Sequence, residues 1–452
     1  MRDVTKPQLF LDDTWIEDQS RITRLWHKPE ILPEPIFRPE MPWEGTEVIM
    51  YGTVFWLGDR LRMYYSTLNR PFPGKRYLCV AESINGLQWN RLNVGSVEFE
   101  GSKHNNIVLE PTNSPSIMYE PDDRESPFKL IYHGTAPNGV GGMVGAVSQD
   151  GLRWDLLREP LLTPVGDHKY LMFTKVGGKY VAFVRKAGMT DEFGARVIFK
   201  SESNDFSTFT PPELVLKPDL LDAPDVEFYC MAAFPYGDMF LGLIERYNGV
   251  PDFIDMTLAW SDDLKTWKRP SHREAFIGPE YPWNRGWNTN NSAGPVIVGN
   301  QLYFYFGARS GAHSHQKNGP PEYGAIGLAT LTVDRFASIT AGFKEGILVT
   351  RPITWPGGDL LLNASTTRHL NSHPLDGGGV MTIEVLDETG DPVVGYSGVD
   401  RAIFNGNIPS RAITDPALIS WPGGRSLNDL AGRRTKLLFR MRDAHLYSFR
   451  SG

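Results

Sequence analysis

The stretch VSQDGLRW, residues 147–154, recurs along the chain in altered form. Aligned on its serine, it reads Ser83-Ile-Asn85-Gly-Leu-Gln-Trp89, Ser148-Gln-Asp150-Gly-Leu-Arg-Trp154, Ser203-Asn-Asp205-Phe-Ser-Thr-Phe209 and Ser261-Asp-Asp263-Leu-Lys-Thr-Trp267. A degenerate fifth copy is Thr332-Val-Asp334-Arg-Phe336. Ser and Asp side chains can bond the backbone of a tight turn, Gly supplies its left-handed residue, and the closing aromatic packs between layers. The copies lie about 55–70 residues apart, close to the period of propeller blades. A strand-like run precedes each copy (YLCVAES, MVGAVS, RVIFKSES, MTLAWS, IGLATLT), and two further apolar runs separated by a turn signal lie upstream. Five units of this kind between residues 31 and 345 predict an all-β fold, a five-bladed β-propeller.

Beyond residue 345 the turn no longer recurs. ILVTRPITW, DLLLNAS, GVMTIEVLDETGDPVVGY and TKLLFRMRDAHLYSF alternate apolar and polar residues, which predicts a β-sandwich over 346–452. Residues 1–30 are expected to pack on the propeller. With 12% aromatic residues, 45 Gly and 34 Pro in 452 residues, short strands and tight turns are favoured over long helices. A net charge of −7 supplies no basic field for nucleic acid or an anionic membrane. Cys79 and Cys230 lie in apolar runs and read as buried thiols, with no disulfide framework. The acidic opening MRDVTKPQLFLDDTWIED has no apolar h-region, so a cytoplasmic location is expected.

A propeller brings the start of each innermost strand to a central funnel, so functional groups are sought there. Blade one offers Glu44 and Glu47, and blade two offers Asn113 and Ser114. Blade three offers Asp167 and His168; blade four offers Asp222, Asp225 and Glu227. Blade five offers Arg285, Trp287, Asn288, Asn290 and Asn291. Second strands add Arg185, Glu245, Arg246 and Arg309, and the loop after the last of these adds His313 and His315. Carboxylates in a polar, aromatic pocket suit acetal hydrolysis, in which one acid protonates the leaving oxygen and a second activates water or attacks. The bland alternative is that an acid caps a turn and an arginine bridges two blades. No cofactor motif is present and no metal site is expected, with a structural cation in the funnel left open.

The five inner-strand units followed by a sandwich, with the stretches LFLDDTWIEDQSRITRLWHKPE, PWEG…YGTV and LDETGDPVVGY…DLAGRRTKLLFRMRDAHLYSF, resemble glycoside hydrolases of the furanosidase superfamily, families 32, 43 and 68. The resemblance implies three funnel acids: Glu44 or Glu47, then Asp167, then Glu227 as general acid with Asp225 beside it. His168, Arg185, Arg246, Trp287, Asn288, Asn291, Arg309 and His315 would contact a small or furanose-containing saccharide. The family 32 signatures built on Asn-Asp-Pro-Asn, Arg-Asp-Pro and Glu-Cys are absent in those forms. The turns also resemble the sialidase Asp box, one residue shorter. A sialidase-like or phosphorolytic enzyme and a non-catalytic carbohydrate-binding propeller are the alternatives. The sandwich is expected to be structural or to form a contact between copies.

Overall fold

The computed structural model describes residues 2–67, 76–110, 112–185, 194–313, 324–366, 379–405 and 417–452. Its regular structure is almost entirely β, and five antiparallel blades form a propeller followed by a β-sandwich. Blade one runs inner to outer through Val48–Leu57, Arg60–Thr67, Leu78–Ser83 and Asn90–Arg91. Blade two uses Asn113–Tyr119, Phe128–Thr135, Gly141–Ser148 and Asp155–Leu156. Blade three uses Lys169–Leu171, Tyr180–Val184, Ile198–Ser203 and Glu213–Leu216. Blade four has three full strands, Val226–Tyr236, Met239–Asn248 and Phe253–Ser261, with single bridges at Ile277 and Lys268 on its outer edge. Blade five pairs Trp287–Asn290 and Val296–Val298 with Gln301–Arg309, and then Gly324–Thr332. Its outer strand is Glu30–Ile31, so an early segment closes the ring that the later residues build.

The segment before that strand differs from expectation. Rather than merely packing on the propeller, Ile16–Ser20 and Thr23–Trp26 form edge strands of the two sandwich sheets, and Gln8–Leu9 pairs with Ala444–Ser451. Adding a strand satisfies backbone groups that an open sheet edge would leave to solvent. The sandwich core between the sheets holds Phe10, Trp355, Leu362, Ile383, Phe439 and Phe449.

The repeated turn closes the third strand of four blades and is built the same way each time. The Ser hydroxyl accepts the backbone N–H three residues on: Gly86 at 2.8 Å, Gly151 at 2.8 Å, Phe206 at 3.1 Å and Leu264 at 2.9 Å. The Asn or Asp side-chain oxygen accepts the next N–H groups, as Asp150 does from Leu152 at 2.7 Å and Arg153 at 2.9 Å. The residue three beyond the serine is left-handed in every copy, with φ of 75°, 72°, 61° and 61°.

The variation at this position follows from packing. Tyr305 of blade five donates its hydroxyl to Gly86 O, and Tyr64 of blade one donates to Gly151 O at 2.9 Å. In these two copies a tyrosine from the preceding blade fills the gap, and a Cβ on Gly151 would meet the Tyr64 hydroxyl at 2.2 Å. In the other two, Phe206 and Leu264 fill the gap from within, inside the cores that join blades two to three and three to four. The fifth copy diverges. Its left-handed residue is Asp334, whose carboxylate accepts the hydroxyls of Tyr236 at 2.8 Å and Ser448 at 2.7 Å, joining blade four to the sandwich.

Replacing Gly151 by Ala combines a left-handed alanine with a steric clash and is expected to cost about 1–3 kcal/mol. In Tyr64→Phe the clashing atom is absent, so the Tyr64→Phe/Gly151→Ala double variant should lose less than the sum of the two single changes. Urea unfolding of the four proteins measures this; strict additivity would refute the shared-gap account.

Candidate active site

The inner-strand starts converge at the axis, and the structure sorts the candidate residues there into two groups. One group faces a shared space. Glu47 is fully buried just before the blade-one strand, and its Oε2 accepts Arg309 Nε at 2.8 Å. The Arg309 guanidinium lies 4.4 Å from the ring centre of Trp287. Asp167, before the blade-three strand, accepts Arg185 Nη2 at 2.5 Å, and Arg185 in turn lies 4.4 Å from the ring centre of Tyr229. Glu227 accepts the backbone N–H of Arg196 at 3.0 Å and its Nη1 at 2.6 Å, both on Oε2. The Arg196 guanidinium also reaches the Tyr229 ring, at 5.5 Å. Tyr229 thus sits between the Asp167–Arg185 and Glu227–Arg196 pairs.

Aromatic rings complete this space. His168 lies edge-on to Tyr51 and Tyr229, both at 4.9 Å between centres. His313 lies against Trp287 and Tyr247 at 4.7 Å, and against Tyr229 at 5.3 Å. Gly286 allows the His313 loop to approach, because a Cβ there would meet Gly311 O at 1.9 Å. Beneath the rings lies Glu245, wholly buried. It accepts Tyr170 Oη at 2.6 Å and the Asn290 backbone N–H at 2.7 Å, and it contacts His168 Nε2 at 3.1 Å. On the other side of the imidazole, Ser114 Oγ lies 3.0 Å from Nδ1. Ser114 reaches it from a bulge in the blade-two strand, with φ at 50°. These partners suit a neutral His168 carrying its proton on Nε2, with the Ser114 hydroxyl donating to Nδ1.

Electrostatics follow burial and the crowding of cations. Burial pushes the Asp167 carboxyl up, but the Arg185 guanidinium bonded to it draws the other way and the group lies below its ordinary value. Burial and Arg196 push His313 down to about 4, and burial lowers His168 against the pull of Glu245. Burial moves Arg76 downward too, and Arg309 adds repulsion. Lys169, fully enclosed with Nζ 3.3 Å from Asp167 O, is pushed down by burial to about 7.

The second group is structural. Glu44 accepts from Glu40 N, Met41 N, Tyr65 Oη and both Nε and Nη2 of Arg91, which occupies its two oxygens with five donors. Asn284 occupies the same place in blade five, accepting from Glu280 N and Tyr281 N. Met41-Pro-Trp-Glu44 and Tyr281-Pro-Trp-Asn284 are therefore one repeated cap, a signal present in the sequence that sets Glu44 aside from chemistry. Asp225, two residues before Glu227, has its Oδ2 engaged by the Val250 backbone N–H. Arg246 is turned away from the axis, gripping Asp255 through Nε at 2.9 Å and Nη2 at 2.6 Å. The Asn288 amide is taken by Asn284 and Ile254 O, and that of Asn291 by Val54 N, Ala293 N and Gly294 O. His315 lies outside the described residues. Among the described residues, no group of three or more His, Cys, Asp or Glu is arranged to hold a metal ion, and no helix is long and apolar enough to cross a membrane.

Two measurements test these assignments. Glu44→Gln replaces a buried acceptor of five bonds and should cost about 3 kcal/mol in urea unfolding. A loss within error would remove its structural role. For Lys169, the folded value lies below the unfolded one, so the unfolded state holds the extra proton between them. The stability of the natural protein relative to Lys169→Met should therefore fall as pH drops from about 10 to about 7, then level off. A difference that does not change with pH would show that Lys169 is not held neutral by burial.

No family model matches the chain, and no curated protein matches it. Among solved structures it is similar to a glycoside hydrolase, at 16% identity over 67% of this chain and 92% of that one, with a TM-score of 0.47. It is also similar to a glycosyl hydrolase from Bacteroides ovatus, at 14% identity over 69% and 95%, with a TM-score of 0.48. A third is a beta-1,2-mannobiose phosphorylase from Listeria innocua complexed with beta-1,2-mannobiose, at 13% identity over 70% and 98%, with a TM-score of 0.47.

Proposed function

We propose that the funnel binds a saccharide and cleaves a glycosidic bond, with Asp167 and Glu227 as the two acting carboxylates. The observation that carries this reading is the convergence of both arginine–carboxylate pairs on the ring of Tyr229. Acetal cleavage needs one carboxyl to protonate the leaving oxygen and another, ionised, to activate water or attack the anomeric carbon. Asp167 suits the second role, because its neighbours hold it ionised and its side chain is 40% exposed. Glu227 suits the first. Both of its donors fall on Oε2, which leaves Oε1 to carry the transferable proton. Trp287, Tyr229 and Tyr51 supply apolar faces for sugar C–H groups. Glu47, locked to Arg309 under Trp287, fixes the third wall.

A panel of aryl glycosides, assayed by phenol release with and without phosphate, tests the reading. Asp167→Asn and Glu227→Gln should each lower kcat by about 10²–10⁴ while saccharide binding survives. Undiminished turnover in Asp167→Asn would remove that residue from the chemistry. Saccharide binding with no turnover of any glycoside would favour a binding module.

A further inference from the structure

Resting on the glycoside-cleaving reading, we infer that the sugar held in the funnel carries a carboxylate, received by Arg185 with Arg196 and Arg309 at its sides. Arg185 and Arg309 are each only 1% exposed. Each makes one hydrogen-bonded ion pair to a carboxylate. Nε and Nη1 of Arg185, Nη1 of Arg309 and Nε of Arg196 have no hydrogen-bond partner among the described residues. The rings of Tyr229 and Trp287 stack against the guanidiniums, but a stacked ring leaves the in-plane N–H groups unfilled. Such donors call for an oxygen acceptor, and an ionised planar one fits the guanidinium fork best.

The surrounding charges decide which anion. Arg76, Arg185, Arg196 and Arg309 stand among Glu47, Asp167, Glu245 and Glu227, and with Glu227 protonated as the general acid these four cations outnumber the ionised carboxylates among these described side chains by one. His168 and His313 are held neutral. A site of this balance accommodates one added negative charge on its unfilled donors. A phosphate carrying close to two would leave the reacting carboxylates strongly repelled.

Titration calorimetry on the full chain tests this with D-glucuronate, D-galacturonate and N-acetylneuraminate against D-glucose, D-galactose and inorganic phosphate. At least one acidic sugar should bind tenfold or more tightly than both neutral sugars. That preference should disappear in Arg185→Met and be partly restored in Arg185→Lys, with thermal unfolding showing that both variants fold. If Arg185→Met does not fold, loss of the preference in Arg196→Met gives the same support. The inference is overturned if neutral sugars bind as tightly as the acidic ones, if no acidic sugar binds, or if phosphate binds more tightly than all three. Its failure is separable from failure of the glycosidase reading. Asp167-dependent cleavage of neutral glycosides without acidic-sugar binding leaves cleavage standing and removes the carboxylate. Acidic-sugar binding without cleavage of any glycoside does the reverse.

Discussion

The buried carboxylate of Glu245 is the interaction on which the funnel depends. It belongs to the second strand of blade four, yet its partners are Tyr170 and His168 of blade three and the backbone of Asn290 in blade five. One side chain therefore ties three consecutive blades at the axis. A charge placed where water is excluded is tolerated only with strong donors around it, and here the donors are themselves the wall of the site. Through Glu245 the imidazole of His168 is oriented, and His168 sets the spacing between Tyr51 and Tyr229. Loss of this carboxylate would disturb all three blades together, because each donor would be left buried without an acceptor.

Around the rim, the same role passes to the Ser/Asp turn. It closes its own backbone, so its outer edge needs little from neighbours, while its left-handed residue projects into the seam between blades. The seam is filled either by a tyrosine from the preceding blade or by the turn's own Phe206 or Leu264. These are alternative solutions to one volume requirement, since interiors close to crystal density leave no room for both. The turn carries no chemistry. Its effect on function is geometric, because uniform seams keep five strand starts pointed at one axis.

Much of this was legible in the sequence because the informative features are local. Turn chemistry, apolar runs and their spacing revealed the blade count, and the blade count pointed to Glu47, Asp167, His168, Glu227 and Trp287, all of which the structure brings to the funnel. Facing direction was harder to read. Glu245 and Arg246 are adjacent on one strand, and alternation sends only one of them inward. Here the strand turns Glu245 to the axis and Arg246 to Asp255, a choice set by pairing with Phe253–Ser261 that the strand itself does not encode. Asn288 and Asn291 misled for a related reason: amides before a strand look like sugar ligands but serve equally to bond buried backbone. The N-terminal strands were missed because pairing across several hundred residues leaves no local mark. Tyr51, Tyr229 and Arg196 lay within or beside readable strands, but nothing short of the assembled ring shows that they meet.

What separates the enclosed carboxylates of this funnel from those proposed to act is the interplay of burial and partners rather than residue type. Glu44 and Glu245 are wholly enclosed, and several donors converge on each. Asp167 and Glu227 have side chains 40% and 24% exposed, and each leans on one arginine. A carboxylate surrounded by donors cannot exchange a proton with a substrate without breaking the fold around it. One held at a single edge keeps an oxygen free for the proposed reaction, while the arginine holds the other edge of the carboxylate in place. The arginines follow the same logic from the opposite side. Arg91 and Arg246 have their guanidiniums occupied by carboxylates and backbone carbonyls, whereas Arg185 and Arg309 keep in-plane N–H groups without partners among the described residues. Unfilled donors beside partly exposed carboxylates, inside a ring of aromatic faces, are what distinguishes this end of the propeller from an ordinary packed core.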